Sequence, residues 1–236
     1  MSHPPRIGLI VPASNTLAEV QFQRYTPAGI GVHTARVRMT GEWQKPLRAL
    51  EDDIAHAAAT LSDVDPGVIL FHCTSNSMSE GLAGEKYLLE VIEKASGRPA
   101  LTTGQAITEA FTHLGMKKLV LVSPYVAETN AHETEFLHEA GFAVVHDHGL
   151  GLKGGGDAYA SIPPERWTAL TLEHQRAEAD GYLLSCTATT MIEAIDDLER
   201  RLDKPVVTSN QAGLWAALRR MRLGQAIAGL GRLFRS

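Results

Sequence analysis

The stretch Phe71-His72-Cys73-Thr74-Ser75-Asn76-Ser77 follows directly on the apolar run Val68-Ile69-Leu70. An apolar run that ends in a cysteine and several hydroxyl and amide side chains is typical of a buried parallel strand that leads into a helix. The same pattern recurs at Tyr182-Leu183-Leu184-Ser185-Cys186-Thr187-Ala188-Thr189-Thr190. The only two cysteines of the chain therefore end two apolar strands, at the sheet edge where open α/β sheets bind ligands.

The chain around these two stretches follows the same plan twice. Pro12 and Pro124 are 112 positions apart, Cys73 and Cys186 are 113 apart, and the phrase Pro99-Ala-Leu-Thr-Thr-Gly-Gln-Ala106 returns 106 positions later as Pro205-Val-Val-Thr-Ser-Asn-Gln-Ala212. This repeat predicts an α/β protein of two similar parallel-sheet βα lobes, residues 1–116 and 117–236, related by a pseudo-twofold axis. The active site is expected in the cleft between them. The alternative is one continuous doubly wound sheet without symmetry.

Apolar runs and helical spacing place the individual elements. The predicted strands are 6–12, 32–39, 68–71, 99–102, 118–125, 142–146, 182–185 and 205–208. The predicted helices are 16–25, 45–61, 85–94, 105–114, 128–140, one opening at 163–165, 191–202 and 211–222, with a glycine-rich loop at 149–157.

Composition excludes several classes of function. The chain has 236 residues, 44% of them apolar, a net charge of −5 and no block of Lys or Arg, so nucleic-acid binding is not expected. It shows no signal-peptide pattern and no apolar run of membrane-spanning length. We therefore expect a cytoplasmic protein without a membrane partner and with two free thiols. Inert core cysteines are the alternative, and a reducing compartment disfavours a disulfide.

The position of the cysteines suggests their chemistry. A strand end that opens into a helix N-terminus can lower a cysteine pKa from about 8.5 to roughly 3.5–7.5, which would supply a thiolate without a histidine partner. Alternation along the strand points His72 to the other face, so it is expected to be a core or interface histidine. The hydroxyl residues after each cysteine could bind an anion with neutral donors or could simply cap a helix.

Phrases across nearly the whole chain carry a family resemblance. They are Ile7-Gly-Leu-Ile-Val-Pro-Ala-Ser-Asn15-Thr16, Cys73-Thr-Ser75, Ser123-Pro-Tyr125, Ser185-Cys-Thr187 and Pro205-Val-Val-Thr-Ser-Asn-Gln-Ala212. In this order they resemble the aspartate/glutamate racemase superfamily, and within it the branch of maleate cis-trans isomerases and arylmalonate decarboxylases.

The resemblance implies an enzyme without metal or cofactor that acts at the carbon next to a carboxylate. It implies Cys73 as the nucleophile and Cys186 as the acid/base, whereas the decarboxylases keep only the second cysteine. Carried over from the family, the substrate-binding residues are Asn15, Thr74, Ser75, Tyr125 and Thr187. A tyrosine at a strand end is often a packing residue, but the position of Tyr125 after Ser123-Pro124 favours the site.

One loop departs from the family pattern, because residues 154–159 lack the asparagine that members often place there. This departure leaves the substrate open more than the chemistry. The resemblance favours a cis-trans isomerase of a small dicarboxylate, of the maleate-to-fumarate type. The alternatives are a two-cysteine racemase of an amino acid or related carboxylate (aspartate, glutamate or hydantoin type), a malonate decarboxylase and a non-catalytic binding protein.

The C-terminal segment suggests how the chain could assemble. Residues 226–234 are largely apolar and could close over the body or pair subunits. We expect a homo-oligomer, a dimer, whose other partner is the small carboxylate or dicarboxylate substrate.

Overall fold

A computed structural model describes residues 4–235, except for the side chain of Trp43. Two four-stranded parallel sheets form in this range. The first has the order β2-β1-β3-β4, and the second has the order β6-β5-β7-β8. The strands are β1 (Arg6–Pro12), β2 (Gly31–Val37), β3 (Val68–Phe71), β4 (Ala100–Thr102), β5 (Lys118–Ser123), β6 (Ala143–Gly149), β7 (Gly181–Leu184) and β8 (Val206–Thr208). The predicted fold of two similar lobes is confirmed, and the single continuous sheet is wrong.

Helices flank both sheets. They are α1 (Ala18–Tyr25), α2 (Glu51–Ser62), α3 (Thr74–Met78), α4 (Gly81–Ser96), α5 (Thr103–Leu114), α6 (Ala127–Glu139), α7 (Asp157–Ala160), α8 (Pro164–Glu173), α9 (Ile195–Leu202) and α10 (Ser209–Arg220). Short 3₁₀ helices span Gly41–Trp43, Leu47–Leu50, Met191–Ala194 and Arg232–Phe234. The helix expected directly after Cys73 is α3, although its five residues are too few for periodicity to give its bounds, and the four-residue α7 was missed for the same reason.

The repeated phrase explains why the two lobes are alike. It supplies the last strand of each sheet and the start of the helix that follows, α5 in one lobe and α10 in the other. The hydroxyls of Thr102 and Thr208 accept hydrogen bonds from the backbone N–H groups of Gln105 and Gln211, so both helices begin with the same N-cap. The two helices pack against each other, which brings the carboxyl ends of the two sheets together.

Several predicted elements differ in extent. Strand β2 ends at Val37 rather than at 39, β5 ends at Ser123 rather than at 125, α4 begins at Gly81 rather than at 85, and the helix expected over 191–202 begins as the 3₁₀ turn Met191–Ala194. The helix expected over 45–61 begins as the 3₁₀ turn Leu47–Leu50, where the Leu47 N–H donates to the Glu80 carboxylate, and becomes α-helical at Glu51. Strand β6 runs to Gly149, past the predicted end at 146, after a register shift between Leu119 and Val120 of its neighbour.

The C-terminal segment packs on the body of the same chain. Leu230, Leu233 and Phe234 are buried in the main hydrophobic core, and the Gln211 side chain donates to the Leu230 carbonyl. Of the two possibilities that the sequence left open, this arrangement agrees with closure over the body. Over residues 4–235, no helix has both the length and the apolar composition required to cross a membrane.

Candidate active site

Both cysteine side chains line one cavity of about 80 Å³ between the carboxyl ends of the two sheets. Cys73 is the N-cap of α3 and lies two residues after Phe71, the last residue of β3. Cys186 follows Ser185 beyond the end of β7. Both are buried free thiols. The fold therefore brings the two cysteines to one cleft from opposite lobes, as the repeat predicted.

Four of the five predicted substrate-binding residues also line this cavity. They are Asn15, Ser75, Tyr125 and Thr187. Thr74 is placed differently: its side chain is buried, and its hydroxyl donates to Ser209 Oγ at 2.8 Å in the other lobe. The described part of the chain thus places the Thr74 side chain in contact with the second lobe rather than along the cavity wall.

The Asn15 side chain already makes hydrogen bonds that shape the site. Its Oδ1 accepts from the backbone N–H groups of Leu17 and Ala18, at 3.0 and 2.9 Å. Its Nδ2 donates to Thr187 Oγ1 across the cleft at 3.0 Å. Asn15 therefore fixes the loop after β1 and joins the lobes, and its second amide hydrogen is the one left to face a ligand.

The expected lowering of the cysteine pKa values is wrong. Burial raises the pKa of the Cys73 thiol from 9.0 to about 11, although the Asn76 backbone N–H and the Ser75 hydroxyl oppose the shift. Burial also raises the pKa of Cys186 to about 12, against the Tyr125 hydroxyl and the Ala188 backbone N–H. The helix after Cys73 has only five residues, and the residues directly after Cys186 form a turn, so desolvation outweighs any dipole effect.

Tyr125 belongs to the cavity wall rather than to the packed core alone. Its hydroxyl lies beside the Cys186 thiol, and burial raises the pKa of Tyr125 well above 10, so it remains a neutral donor. Its ring meets the edge of Tyr159 at a centroid distance of 5.8 Å. Tyr159 was not identified from the sequence, because its position depends on the four-residue helix α7.

The glycine-rich loop covers the cavity with backbone. Gly154, Gly155 and Gly156 are part of the wall, whereas Asp157 begins α7. Gly156 has φ +58°, and a Cβ there would lie 3.1 Å from the Ser14 carbonyl oxygen of the other lobe. A larger residue would strain this close approach. At residues 154–156 the cavity wall is therefore formed by peptide groups rather than by longer side chains.

His72 links the two lobes behind the site. It is fully buried, and burial lowers its pKa to about 4, so the ring is neutral. Its Nε2 donates to Asn210 Oδ1 at 2.7 Å, and its Nδ1 faces the Thr103 hydroxyl at 3.1 Å. The expected core or interface histidine is confirmed.

Glu133 is a buried carboxyl near the thiols that the sequence did not reveal. It lies on α6, neither of its oxygens has a well-formed hydrogen bond within the described chain, and the Ser185 hydroxyl beside it is equally unpartnered. Burial raises the pKa of Glu133 to about 8, and the neighbouring Ser185 hydroxyl opposes the shift. A negative charge on Glu133 would raise the pKa of both cysteines. At neutral pH the carboxyl is therefore mainly protonated, and among the described side chains the cavity wall carries no charged group.

Replacing this carboxyl should change how stability depends on pH. Glu133 ionises near 4.5 when unfolded and near 8 when folded. The stability contributed by the protonated Glu133 carboxyl is therefore fully present below pH 4.5. It decreases as the pH rises above 4.5 and is lost as the pH passes through about 8. We expect Glu133→Gln to leave Tm almost unchanged at pH 5. At pH 8.5 it should raise Tm by about 5–10 °C, because the free energy of unfolding increases by on the order of 2–4 kcal/mol.

Thermal unfolding at the two pH values checks this expectation. Glu135→Gln, on the exposed side of the same helix, is the control and should change Tm little at either pH. Equal shifts of Tm for Glu133→Gln at pH 5 and pH 8.5 would show that this carboxyl does not titrate in the folded protein.

Within residues 4–235, no cluster of three or more His, Cys, Asp or Glu side chains has a geometry that could hold a metal ion. Action without a metal or cofactor stays a prediction.

Comparisons with known proteins agree with the geometry. A family model described as arylmalonate decarboxylase matches residues 4–234. Arylmalonate decarboxylase of Bordetella bronchiseptica is 30% identical over 239 residues, which cover 98% of this chain and 96% of the relative. Maleate isomerase of Nocardia farcinica is 28% identical over 241 residues, covering 98% and 95%.

A solved structure shares the fold. It is a mutant of the Nocardia farcinica maleate cis-trans isomerase with a covalently bound succinylcysteine intermediate. It matches with a TM-score of 0.87 at 24% identity, over 98% of each chain. The resemblance read from the sequence phrases is confirmed.

Proposed function

The chain belongs to the arylmalonate decarboxylase family, and we propose that within this family it is a cofactor-independent cis-trans isomerase of a small dicarboxylate of the maleate type. The observation that carries the proposal is the pair of thiols, one from each lobe, on a single small cavity. Decarboxylation needs a proton donor on one face of the substrate, whereas addition to a double bond needs a nucleophile and a proton donor together.

In the proposed reaction the Cys73 sulfur first adds to the substrate and later leaves it, and Cys186 first gives a proton and later takes one back. The minor fraction of Cys73 that has passed its proton to water attacks as the thiolate, and its sulfur forms a C–S bond with one alkene carbon as the π bond breaks. Cys186 gives a proton to the neighbouring carbon. Rotation then occurs about the C–C bond, which is now a single bond. The Cys186 thiolate takes a proton back, the double bond re-forms as the C–S bond breaks, and the trans acid and the Cys73 thiolate are released. The covalent step removes the rotational barrier of the double bond, which is the difficult part of the reaction.

The raised thiol pKa values are compatible with this sequence of steps. At a pKa of about 11, roughly one Cys73 side chain in 10⁴ is a thiolate at pH 7, but a buried thiolate is a strong nucleophile. The high pKa of Cys186 keeps it protonated until a carbanion forms beside it. A neutral Glu133 helps both steps, because its ionised form would disfavour the Cys73 thiolate.

Neutral donors are proposed to hold the two carboxylates. Asn15, Ser75, Tyr125 and Thr187 line the cavity and can donate hydrogen bonds from amide or hydroxyl groups. Thr74 would act through its neighbours, since its own hydroxyl is engaged with Ser209. The absence of a charged group along the described wall avoids over-stabilising the charged ground state.

The relatives bear on the covalent step. A mutant of the Nocardia farcinica maleate isomerase holds a succinylcysteine intermediate, and we transfer that step to this chain as part of the proposal. Arylmalonate decarboxylation is the second candidate, because the family model and the 30% identical relative carry that name. The presence of Cys73 argues against it.

A cytoplasmic location and a homodimer stay predictions.

A proton NMR time course tests the function. Maleate, fumarate, phenylmalonate and D- and L-aspartate are offered separately to the purified protein in deuterated buffer. We expect the maleate signal to be replaced by that of fumarate. Loss of the phenylmalonate signals with formation of phenylacetate would favour the decarboxylase. Exchange of the α-proton of aspartate, without maleate turnover, would favour the racemase.

A further inference from the structure

A single buried hydroxyl, that of Ser209, contacts the segments of both cysteines. Its Oγ accepts a hydrogen bond from Thr74 Oγ1 at 2.8 Å and another from the Cys186 backbone N–H at 3.1 Å. Thr74 directly follows Cys73 in the chain. We propose that Ser209 is a positioning residue that holds the two cysteines in register across the cleft. This inference rests on the two-thiol chemistry of the proposed function.

The matching position in the first lobe shows that the fold does not require this arrangement. The repeat aligns Ser209, the first residue of α10, with Thr103, the first residue of α5. The Thr103 hydroxyl donates to the Phe71 carbonyl at 3.1 Å and faces His72 Nδ1, both in its own lobe. Two helices with the same cap and the same length therefore begin with hydroxyls in different roles. Only the second hydroxyl connects the two cysteine segments.

The position of Ser209 suits a role in alignment rather than in binding. It is fully buried, it sits on the first turn of a 12-residue helix, and it lies behind the cavity rather than along its described wall. The sulfur of Cys73 and the sulfur of Cys186 must reach neighbouring carbons of one small substrate. A misplacement of about 1 Å can cost roughly 10²-fold in rate. Loss of the shared hydroxyl should therefore lower kcat and leave KM nearly unchanged.

Kinetics of Ser209 variants of the full chain test this role. We expect Ser209→Ala to lower kcat for maleate by about 10–100-fold, with KM within about threefold of wild type. Ser209→Thr keeps the hydroxyl, and a threonine occupies the matching place in the first lobe, so its kcat should stay within about threefold of wild type. Thr74→Val removes the same link from the other side, and combining it with Ser209→Ala should lower kcat by less than the product of the two single effects.

Thr103→Val is the matched control, because it removes a buried hydroxyl with two contacts at the equivalent helix start. Its Tm should fall about as much as that of Ser209→Ala, while its kcat stays within about threefold of wild type. An equal fall of kcat in both variants would mean that the loss is merely structural. A Ser209→Ala enzyme with wild-type kcat would overturn the inference.

A second readout separates this inference from the proposed function. Iodoacetamide labelling followed by peptide mass spectrometry measures how fast each buried thiol reacts, whether or not maleate is a substrate. We expect Ser209→Ala to speed the labelling of Cys186 at least fivefold, because its backbone N–H loses its acceptor, and Thr103→Val to leave that rate unchanged. Absence of maleate turnover in the wild type would contradict the proposed function alone, and unchanged Cys186 labelling in Ser209→Ala would contradict the positioning role.

Discussion

Cys73→Ala is expected to lower maleate turnover by at least 10³-fold, because without the sulfur no covalent route to the rotated intermediate exists. Cys73→Ser should be nearly as inactive, since an alkoxide forms far less readily than a thiolate in a cavity that already raises the pKa of the thiol. The rate of fumarate formation, followed by absorbance or NMR, gives the comparison.

A neighbouring variant and a folding check accompany this experiment. Ser79→Ala changes a half-buried hydroxyl just after α3 that bonds to a backbone carbonyl, and it should retain near-wild-type activity. All variants should unfold within a few degrees of wild type. More than a tenth of wild-type turnover in Cys73→Ala would refute the assigned role.

Several side chains form hydrogen bonds from one lobe to the other. Of the substitutions at these positions, Asn210→Ala is expected to cause the largest loss of stability. Asn210 Oδ1 accepts from His72 at 2.7 Å, and its Nδ2 donates to Gln21 Oε1 and to the Thr187 carbonyl. Truncation would leave buried polar groups of both lobes without partners. The free energy of unfolding should fall by on the order of 3–5 kcal/mol, and Tm by about 10 °C.

Thermal and urea unfolding measure this loss. Gln23→Ala, on the exposed side of α1, is the control for removal of an amide side chain, and its stability should stay within about 0.5 kcal/mol of wild type. A loss below about 1 kcal/mol for Asn210→Ala would mean that the buried network does not hold the lobes together.

The sequence was a good guide where the relevant property is local or repeated. Apolar runs that each end two residues before a cysteine predicted β3 and β7. The nearly constant offset between the halves predicted two similar parallel-sheet lobes, and hence two cysteines on one cleft. These properties depend on periodicity and spacing, which a single chain displays directly.

The sequence was a poor guide where the property depends on packing between distant segments. The thiol pKa values follow from how completely both lobes and the loop 154–156 close over the cysteines. The burial of Glu133 depends on which face of α6 turns inward, and the different placement of Thr74 and Ser75 depends on the rotation of a five-residue helix. No pattern in the chain encodes such orientations strongly enough to be recognised.

The central claim is that Cys73 forms a covalent bond with the substrate, and trapping that adduct tests it most directly. Cys186→Ala removes the group proposed to take the proton back before elimination, so the adduct, once water has protonated its carbanion, should accumulate when maleate is added. Intact-protein mass spectrometry should then show a gain of one maleate per chain, mapped to the peptide that contains Cys73, and none in Cys73→Ala/Cys186→Ala. The absence of any adduct, with solvent deuterium entering the α-position of aspartate in the wild type, would contradict the account and indicate a racemase.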